Sequence, residues 1–261
     1  MRPEPEPKPE RRALDAVREL KRLGRPERAA GARAYFKACD RVEFFGVTSP
    51  DVRHLARSIW RDGAGWTLRD AVRFADVLIA RPQLEAKSVG ICVLGGFRSA
   101  FDDSLLPAAK RWLSSACHDW ASTDNLCGDV LGPLLLDRPH LIPTLRPWRS
   151  SPALYVRRAS AVALVPLARR GVALDEVYDT VLALAADRED LVQKAAGWVL
   201  REAGKTDLAR LEAFIRRSGQ RLGRTTVRYA VERFPPELRK ELMEQSRLPT
   251  GRSDRRRSAA L

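Results

Sequence analysis

The sequence predicts an all-α fold, an α-solenoid of paired antiparallel helices presenting a concave basic groove. Three observations lead there. Apolar residues recur with a 3.6-residue rhythm along nearly the whole chain, and strand-like alternation is absent. The rhythmic segments, about a dozen of them, are joined by short turns rich in Gly, Pro and Asp. A segment also repeats: Arg158-Ala-Ser-Ala-Val-Ala-Leu164 returns as Lys194-Ala-Ala-Gly-Trp-Val-Leu200, and a looser copy, Arg228-Tyr-Ala-Val231, follows. Spacings of 36 and then 34 residues in a helical sequence are the mark of stacked repeats.

Each element carries its own signals. Ala13 to Leu23 is a helix with Ala13, Leu14, Ala16, Val17, Leu20 and Leu23 on its apolar side, and Gly24 ends it. Pro26 opens the next, which runs toward Tyr35-Phe36. Ser49-Pro50-Asp51 starts a third, with Val52, Leu55, Ala56, Ile59 and Trp60 as its apolar face. Leu68–Ile79 and Leu84–Phe97 follow as a pair. The pattern continues with a helix over Leu105–Trp120, another after Ser122-Thr123, and a short connector over Ile142–Trp148. Leu154–Arg169, Leu174–Ala186, Leu191–Ala203, Asp207–Arg217, Thr225–Phe234 and Pro236–Gln245 complete the set. One segment breaks the rhythm. Cys39–Thr48 sets Phe44 and Phe45 beside Gly46, and on its own reads as a loop plugging the end of the stack.

The organisation expected is a disordered Pro/Glu leader over residues 1–10, a single repeat domain over 11–248 and an Arg-rich flexible tail over 249–261. No stretch has the apolar length of a membrane span. The chain carries 47 Lys and Arg against 33 Asp and Glu, a net charge of +14. Met1–Arg12 supplies +1 and Arg247–Leu261 supplies +4, which leaves +9 between them. The repeat alignment stacks Arg158, Lys194 and Arg228 into a basic stripe with Trp198 one helical turn from Lys194. A basic groove bearing an aromatic residue points to nucleic acid. The four cysteines, Cys39, Cys92, Cys117 and Cys127, contain no CxxC, and Cys117-His118 with Cys127 fits no zinc spacing. They read as reduced, mostly buried thiols in a cytoplasmic protein. The three histidines suggest no triad, and no phosphate-cradling Gly loop is present.

The second informative stretch is Asp119-Trp120-Ala-Ser-Thr-Asp124-Asn-Leu-Cys-Gly-Asp129. Trp120 and Asp124 are four apart and share a face if both are helical. Taken alone, Asp124 reads first as a helix-start carboxylate and Trp120 as a core residue. Trp198 has the same ordinary alternative.

Taken together, Trp120, Asp124, Arg158 and Trp198 sit in a setting that resembles the AlkD-like family of bacterial DNA alkylation repair glycosylases. The likeness runs from Tyr35 to Phe234. It begins with Tyr35-Phe36-Lys37 and with Phe44-Phe45-Gly46-Val47-Thr-Ser-Pro50-Asp51-Val-Arg53. It continues through Trp120-x-x-x-Asp124 and Tyr155-Val-Arg157-Arg158-Ala159, and ends in Val192-Gln193-Lys194-Ala195-Ala196-Gly197-Trp198-Val199-Leu200-Arg201-Glu202. Tyr155 stands where relatives often have Trp, and Ala121-Ser122-Thr123 is smaller and more polar than the common pattern.

The resemblance implies HEAT-like repeats and a monofunctional DNA N-glycosylase that removes cationic N3- or N7-alkylated purines from duplex DNA and leaves an abasic site. Its active-site set is Asp124, Trp120, Trp198 and Arg158. Asp124 faces the cationic sugar and positions water, the two tryptophans face the cationic nucleoside, and Arg158 binds the neighbouring phosphate. Arg157, Arg158, Lys194, Arg201 and Arg228 are the expected DNA contacts. The resemblance further implies a lesion that stays largely stacked, with no metal and no cofactor. The partner expected is double-stranded DNA containing alkylated purines, bound by a nucleoid-associated, cytoplasmic monomer with no membrane attachment. Two other readings stay open: a DNA-binding repeat protein without catalysis, and a protein-binding scaffold. The intact four-residue set favours the enzyme.

Overall fold

The computed structural model describes residues 8–36, 41–63 and 65–247. The expected leader up to Pro7, the thiol of Cys39 and the Arg-rich tail lie outside the described residues.

The described residues are helical, apart from turns and one isolated bridge between Glu43 and Gln83. They divide at Leu167–Ala168 into two compact units. The first holds α1 (Pro9–Leu23), α2 (Pro26–Tyr35), α3 (Ser49–Asp62), α4 (Leu68–Ile79), α5 (Leu84–Gly95), α6 (Leu105–Ser115), α7 (Trp120–Leu126), α8 (Gly132–Asp137) and α9 (Leu154–Val162). A π-helical turn, Cys127–Leu131, joins α7 to α8, and a 3-10 run, Pro139–Ser150, takes in the expected connector. The short α10 (Val165–Ala168) lies at the division. The second unit holds α11 (Leu174–Ala183), α12 (Asp190–Ala203), α13 (Leu208–Ser218), α14 (Arg224–Ala230) and α15 (Pro236–Gln245).

Neighbours in sequence pack on each other, α4 with α5 and α11 with α12. Alternate helices also stack, α3 on α5, α5 on α7 and α7 on α9 in the first unit, and α12 on α14 in the second. Alternate-helix stacking is how a helical solenoid buries faces that no single pair could cover. The core of the first unit joins Ala13, Leu20, Ile59, Phe74, Leu78 and Val93, all fully buried.

Boundaries differ from the sequence expectation in several places: α5 ends at Gly95 instead of Phe97, α11 at Ala183 instead of Ala186, and α7 starts at Trp120, before Ser122-Thr123. Helix α1 begins at Pro9, inside the segment read as leader, because a proline suits a first helical turn. The helix expected over Leu105–Trp120 stops at Ser115, and a turn separates it from α7. The helix expected over Leu154–Arg169 ends at Val162; Pro166 has no N–H to donate back to residue 162, and the chain restarts as α10. The helix expected to reach Phe234 ends at Ala230.

The Phe44-Phe45-Gly46 loop divides its two rings. Phe45 packs against the α1/α3/α4/α5 core, and Phe44 joins a separate cluster with Phe36 and Trp120. Glu85, 7% exposed at the start of α5, holds the loop. Its carboxylate accepts hydrogen bonds from the backbone N–H groups of Phe45 (3.1 Å), Gly46 (2.8 Å) and Val47 (3.2 Å). Glu85→Ala strands three such donors, each costing about 1–3 kcal/mol when left unpaired in a buried setting. The variant is expected to lose about 3 kcal/mol or more in urea unfolding. An unchanged midpoint would show that the loop is held by packing alone.

Candidate active site

Helix α7 starts where a buried charge fixes it. Asp119 is fully buried and is the N-cap. It accepts from the Ser122 N–H at 2.7 Å and from the Ser122 hydroxyl at 2.7 Å. Lys87, 3% exposed on α5, donates to the carbonyls of Ile79 and Ala116, both at 2.7 Å. These are carbonyls at the C-terminal ends of α4 and α6, where helices leave acceptors unpaired and favour a cation. Burial pulls the Lys87 ammonium below its ordinary value, and the nearby Asp119 opposes that. The Tyr155 hydroxyl donates to the carbonyl of His118 at 2.9 Å and ties α9 to the same turn.

With α7 beginning at Trp120, Asp124 lies in its second turn, and Trp120 and Asp124 share a face. The helix-start carboxylate of this segment is Asp119. The sequence carries the sign for it, an Asp three residues before a Ser, whereas Asp124 sits within the helix.

Trp120 is half-buried and lies flat on Phe36, with centroids 4.9 Å apart and planes within 2°. Tyr35 meets its edge at 6.0 Å and is 75% exposed. Phe44 packs on Phe36 at 5.2 Å. This aromatic platform is built from α2, the Phe44 loop and α7. Sequence reasoning recorded Tyr35, Phe36 and Phe44 separately and did not place them beside Trp120.

Arg158 on α9 grips Asp124 with two parallel hydrogen bonds, Nε to Oδ1 at 2.9 Å and Nη2 to Oδ2 at 2.8 Å. The side chains are 6% and 18% exposed. Burial pushes the Asp124 carboxyl above its ordinary value, and the Arg158 guanidinium pulls it back down. Beside them, Cys127 is fully buried and its thiol is raised well above the ordinary range by the same desolvation. Burial also lifts Cys117 to about 12 and Cys92 to about 11, so all three thiols are held protonated and unreactive.

The first unit therefore brings together Trp120, Asp124 and Arg158. Arg157, one residue earlier on α9, donates to the carbonyls of Ser151 (2.9 Å) and Pro152 (3.1 Å). Arg158, expected as an exposed stripe residue, is 5% exposed and turned onto Asp124.

In the second unit, α12 places Lys194, Trp198 and Arg201 along one side. Gly197 lets α14 come close; a Cβ there would stand 2.6 Å from the Thr226 carbonyl oxygen. Trp198 is half-buried, with the Arg169 guanidinium 6.0 Å from its ring. Lys194 pairs with Asp190 at 2.7 Å and is 37% exposed. The hydrogen bond to Asp190 raises its pKa, and the neighbouring charge of Arg228 opposes that rise. Arg228 is exposed, with its guanidinium 5.6 Å from the Tyr229 ring. Arg201 is drawn to Glu232 and to Glu202. Among the expected DNA contacts, Lys194 and Arg228 thus carry charge to the surface, whereas Arg157, Arg158 and Arg201 engage the protein.

Among the described residues, no helix is long and apolar enough to cross a membrane, and no group of three His, Cys, Asp or Glu could hold a metal ion.

Residues 16–234 match the family model described as DNA alkylation repair enzyme. No curated protein sequence matches the chain. Among solved structures, the fold is similar to that of a protein from Enterococcus faecalis titled a predicted DNA alkylation repair enzyme. The TM-score is 0.73 at 19% identity, over 82% of this chain and 98% of that one. The motifs around Trp120, Asp124, Arg158 and Trp198 thus lie within a match that spans most of the sequence, and the chain belongs to the AlkD-like DNA alkylation repair enzyme family.

Proposed function

We propose that this protein is a monofunctional DNA N-glycosylase that hydrolyses the glycosidic bond of cationic N3- or N7-alkylated purines in duplex DNA. The observation that supports this reading best is the Asp124 carboxylate, clamped by Arg158 and set one helical turn from the Trp120 platform.

Alkylation at N3 or N7 makes the purine cationic. When the C1′–N bond breaks, its electron pair goes to the base, which leaves neutral, and positive charge develops on the sugar. Water then adds to C1′ and loses a proton. An ionised Asp124 serves both steps: it faces the oxocarbenium-like sugar and takes the proton from the attacking water. At 4 Å and an effective dielectric of about 20, one such charge is worth on the order of 4 kcal/mol. Arg158 acts through Asp124. Its planar fork fixes the orientation of both oxygens and keeps the carboxylate charged in a desolvated place. Trp120 offers an electron-rich face to the cationic nucleoside. Trp198, on the signature segment of α12, is proposed as an aromatic contact to bound DNA. Lys194 and Arg228 are proposed as phosphate contacts.

Asp124→Asn is expected to lower single-turnover release of 7-methylguanine and 3-methyladenine from methylated duplex by about 100-fold or more, with duplex binding kept. Release at the native rate would sink the catalytic assignment, and no release by the native protein would leave a DNA-binding protein without catalysis.

The pH profile tests the pair. The acting form is the carboxylate, so the rate falls as pH drops through the Asp124 pKa. Burial sets that midpoint above the ordinary aspartate value of 3.8. Arg158→Met removes the opposing cation, so the acid limb is expected to move to higher pH, a shift that a purely structural loss would not produce. An acid limb at the same pH in both proteins would remove Arg158 from this role.

Lys194→Gln and Arg228→Gln are each expected to weaken binding to undamaged duplex of any sequence and to reduce the slope of log affinity against log salt by about one. Titrations over a range of salt concentrations measure it, and unchanged slopes would show that neither side chain meets a phosphate.

A further inference from the structure

An open cavity of about 590 Å³ lies in the first unit between α3, α5 and the π-helical turn. Its volume falls in the range of small-ligand sites. Three features of its wall are unusual together.

The first is Trp60, 42% exposed at the end of α3. The ring is braced from behind: a Cβ on Gly96 would stand 2.5 Å from its Cδ1. It offers a fixed aromatic surface beside the cavity, where a large apolar side chain would otherwise be covered.

The second is charge of both signs that does not meet. Arg53 and Arg57 line the cavity, and among the described residues neither has a carboxylate partner. Arg98, on the same wall, is already matched by Asp137 at 3.1 Å. Asp129 also lines the cavity, its carboxylate accepting from the Cys92 thiol at 4.0 Å, and no cation pairs with it among the described residues. Asp129 on one side and Arg53 and Arg57 on the other line the same open cavity without pairing to each other among the described residues. A ligand with an anionic end and a hydrogen-bond-donating end would join them.

The third is the π-helical turn. Its wider register brings adjacent residues, Gly128 and Asp129, to the same wall. Gly128 contributes bare backbone; a Cβ there would meet nothing within 4 Å.

We propose that this cavity holds one unstacked nucleotide of a bound DNA strand. The base lies on Trp60, its amine or ring N–H donates to Asp129, and the phosphate pairs with Arg53 and Arg57. Aromatic stacking takes any base, carboxylates accept from the exocyclic amines of bases, and arginines fork onto phosphate. Thymine has no exocyclic amine and flanks its N–H with two carbonyl oxygens that a carboxylate repels, so it is the weakest occupant. Gly128 follows Asp124 by four residues on one helical run, about 6 Å of rise, so one duplex reaches both places. The choice of a DNA strand over a free nucleotide rests on the DNA-repair reading above.

The test compares the full-length native protein with Gly128→Leu, which fills the cavity without a backbone clash, and with Trp60→Ala and Asp129→Asn. Binding is measured to an unmodified duplex, to the same duplex with a single unpaired cytosine or thymine, and to dCMP and inorganic phosphate alone. Circular dichroism melting confirms folding. The native protein is expected to favour the bulged cytosine over the flush duplex by tenfold or more and the bulged thymine by less. Gly128→Leu and Trp60→Ala erase the preference while leaving flush-duplex affinity and alkylpurine release unchanged. Asp129→Asn levels cytosine with thymine. Cavity-dependent binding of dCMP with no gain from a bulge would support the nucleotide chemistry and make a free nucleotide the source. A bulge preference that survives Gly128→Leu and Trp60→Ala, binding of phosphate alone, or no preference at all would overturn the proposal. Because alkylpurine release is measured on the same proteins, failure of the glycosylase reading and failure of this site are told apart: either can be lost with the other intact.

Discussion

A carboxylate that is to face a developing cation has to be ionised, and it has to be sheltered from water. The two demands oppose each other, and on the proposed function the Asp124–Arg158 pair is where the chain reconciles them. Removing an isolated carboxylate from water costs several kcal/mol, enough to drive the group to its neutral form. The arginine fork favours the charged form with one bond to each oxygen and fixes the plane of the carboxyl group. Each oxygen keeps a further lone pair. The Asp124 side chain stays 18% exposed, and on the proposed function that is where water and the sugar would reach it. A lysine could supply the charge but not the plane.

Holding that pair in place makes demands on the turn before α7. Apolar packing alone sets helix ends loosely, because hydrophobic contacts are not directional. Here the directional work falls to buried polar groups. Asp119 decides which residue is first in α7, Lys87 joins the ends of α4 and α6, and Tyr155 ties α9 to His118. Glu85 does the same for the loop that delivers Phe44 toward Trp120. The candidate site is therefore assembled by charges at helix ends, while the apolar faces supply the stability that tolerates their burial.

This division explains what could be read in the sequence. The apolar period, the repeat of Arg158-to-Leu164 at Lys194-to-Leu200, and the helix starts at Pro26 and Ser49 are local signals, and the elements they predict are present. A break between α6 and α7 was read, but its place was not legible, because Leu105–Trp120 keeps an apolar rhythm across the true turn; the rhythm records burial, not continuity of hydrogen bonds. The split at Pro166 is legible in principle from the missing N–H, but the apolar rhythm runs across it in the same way. The spacing of Trp120 and Asp124 was read, and α7 shows it as one helical face. The partner of Asp124 was not read, since Arg158 is 34 residues away and its alignment with Lys194 suggested a surface role. Repeat equivalence carries backbone position from copy to copy, but the side chain follows its local neighbours: an aspartate across the layer for Arg158, and Asp190 on its own helix for Lys194. The platform under Trp120 combines three segments far apart in sequence, and no local pattern announces that.

The net charge of +14 accordingly hides two populations of cations. Arg158 and Lys87 lie inside, where they build geometry and where salt reaches them weakly. Lys194 and Arg228 lie outside, close enough for each to feel the other's charge. Two like charges side by side destabilise a folded chain slightly and gain from an anion that bridges them, whereas a buried matched pair gains nothing further from one. Counting basic residues overstates the charge that can meet a phosphate, and the repeat position alone does not sort them. Exposure sorts them. On the proposed function, affinity for a polyanion would rest on the screened outer set and chemistry on the less screened inner pair, so rising salt would loosen the first without disturbing the second.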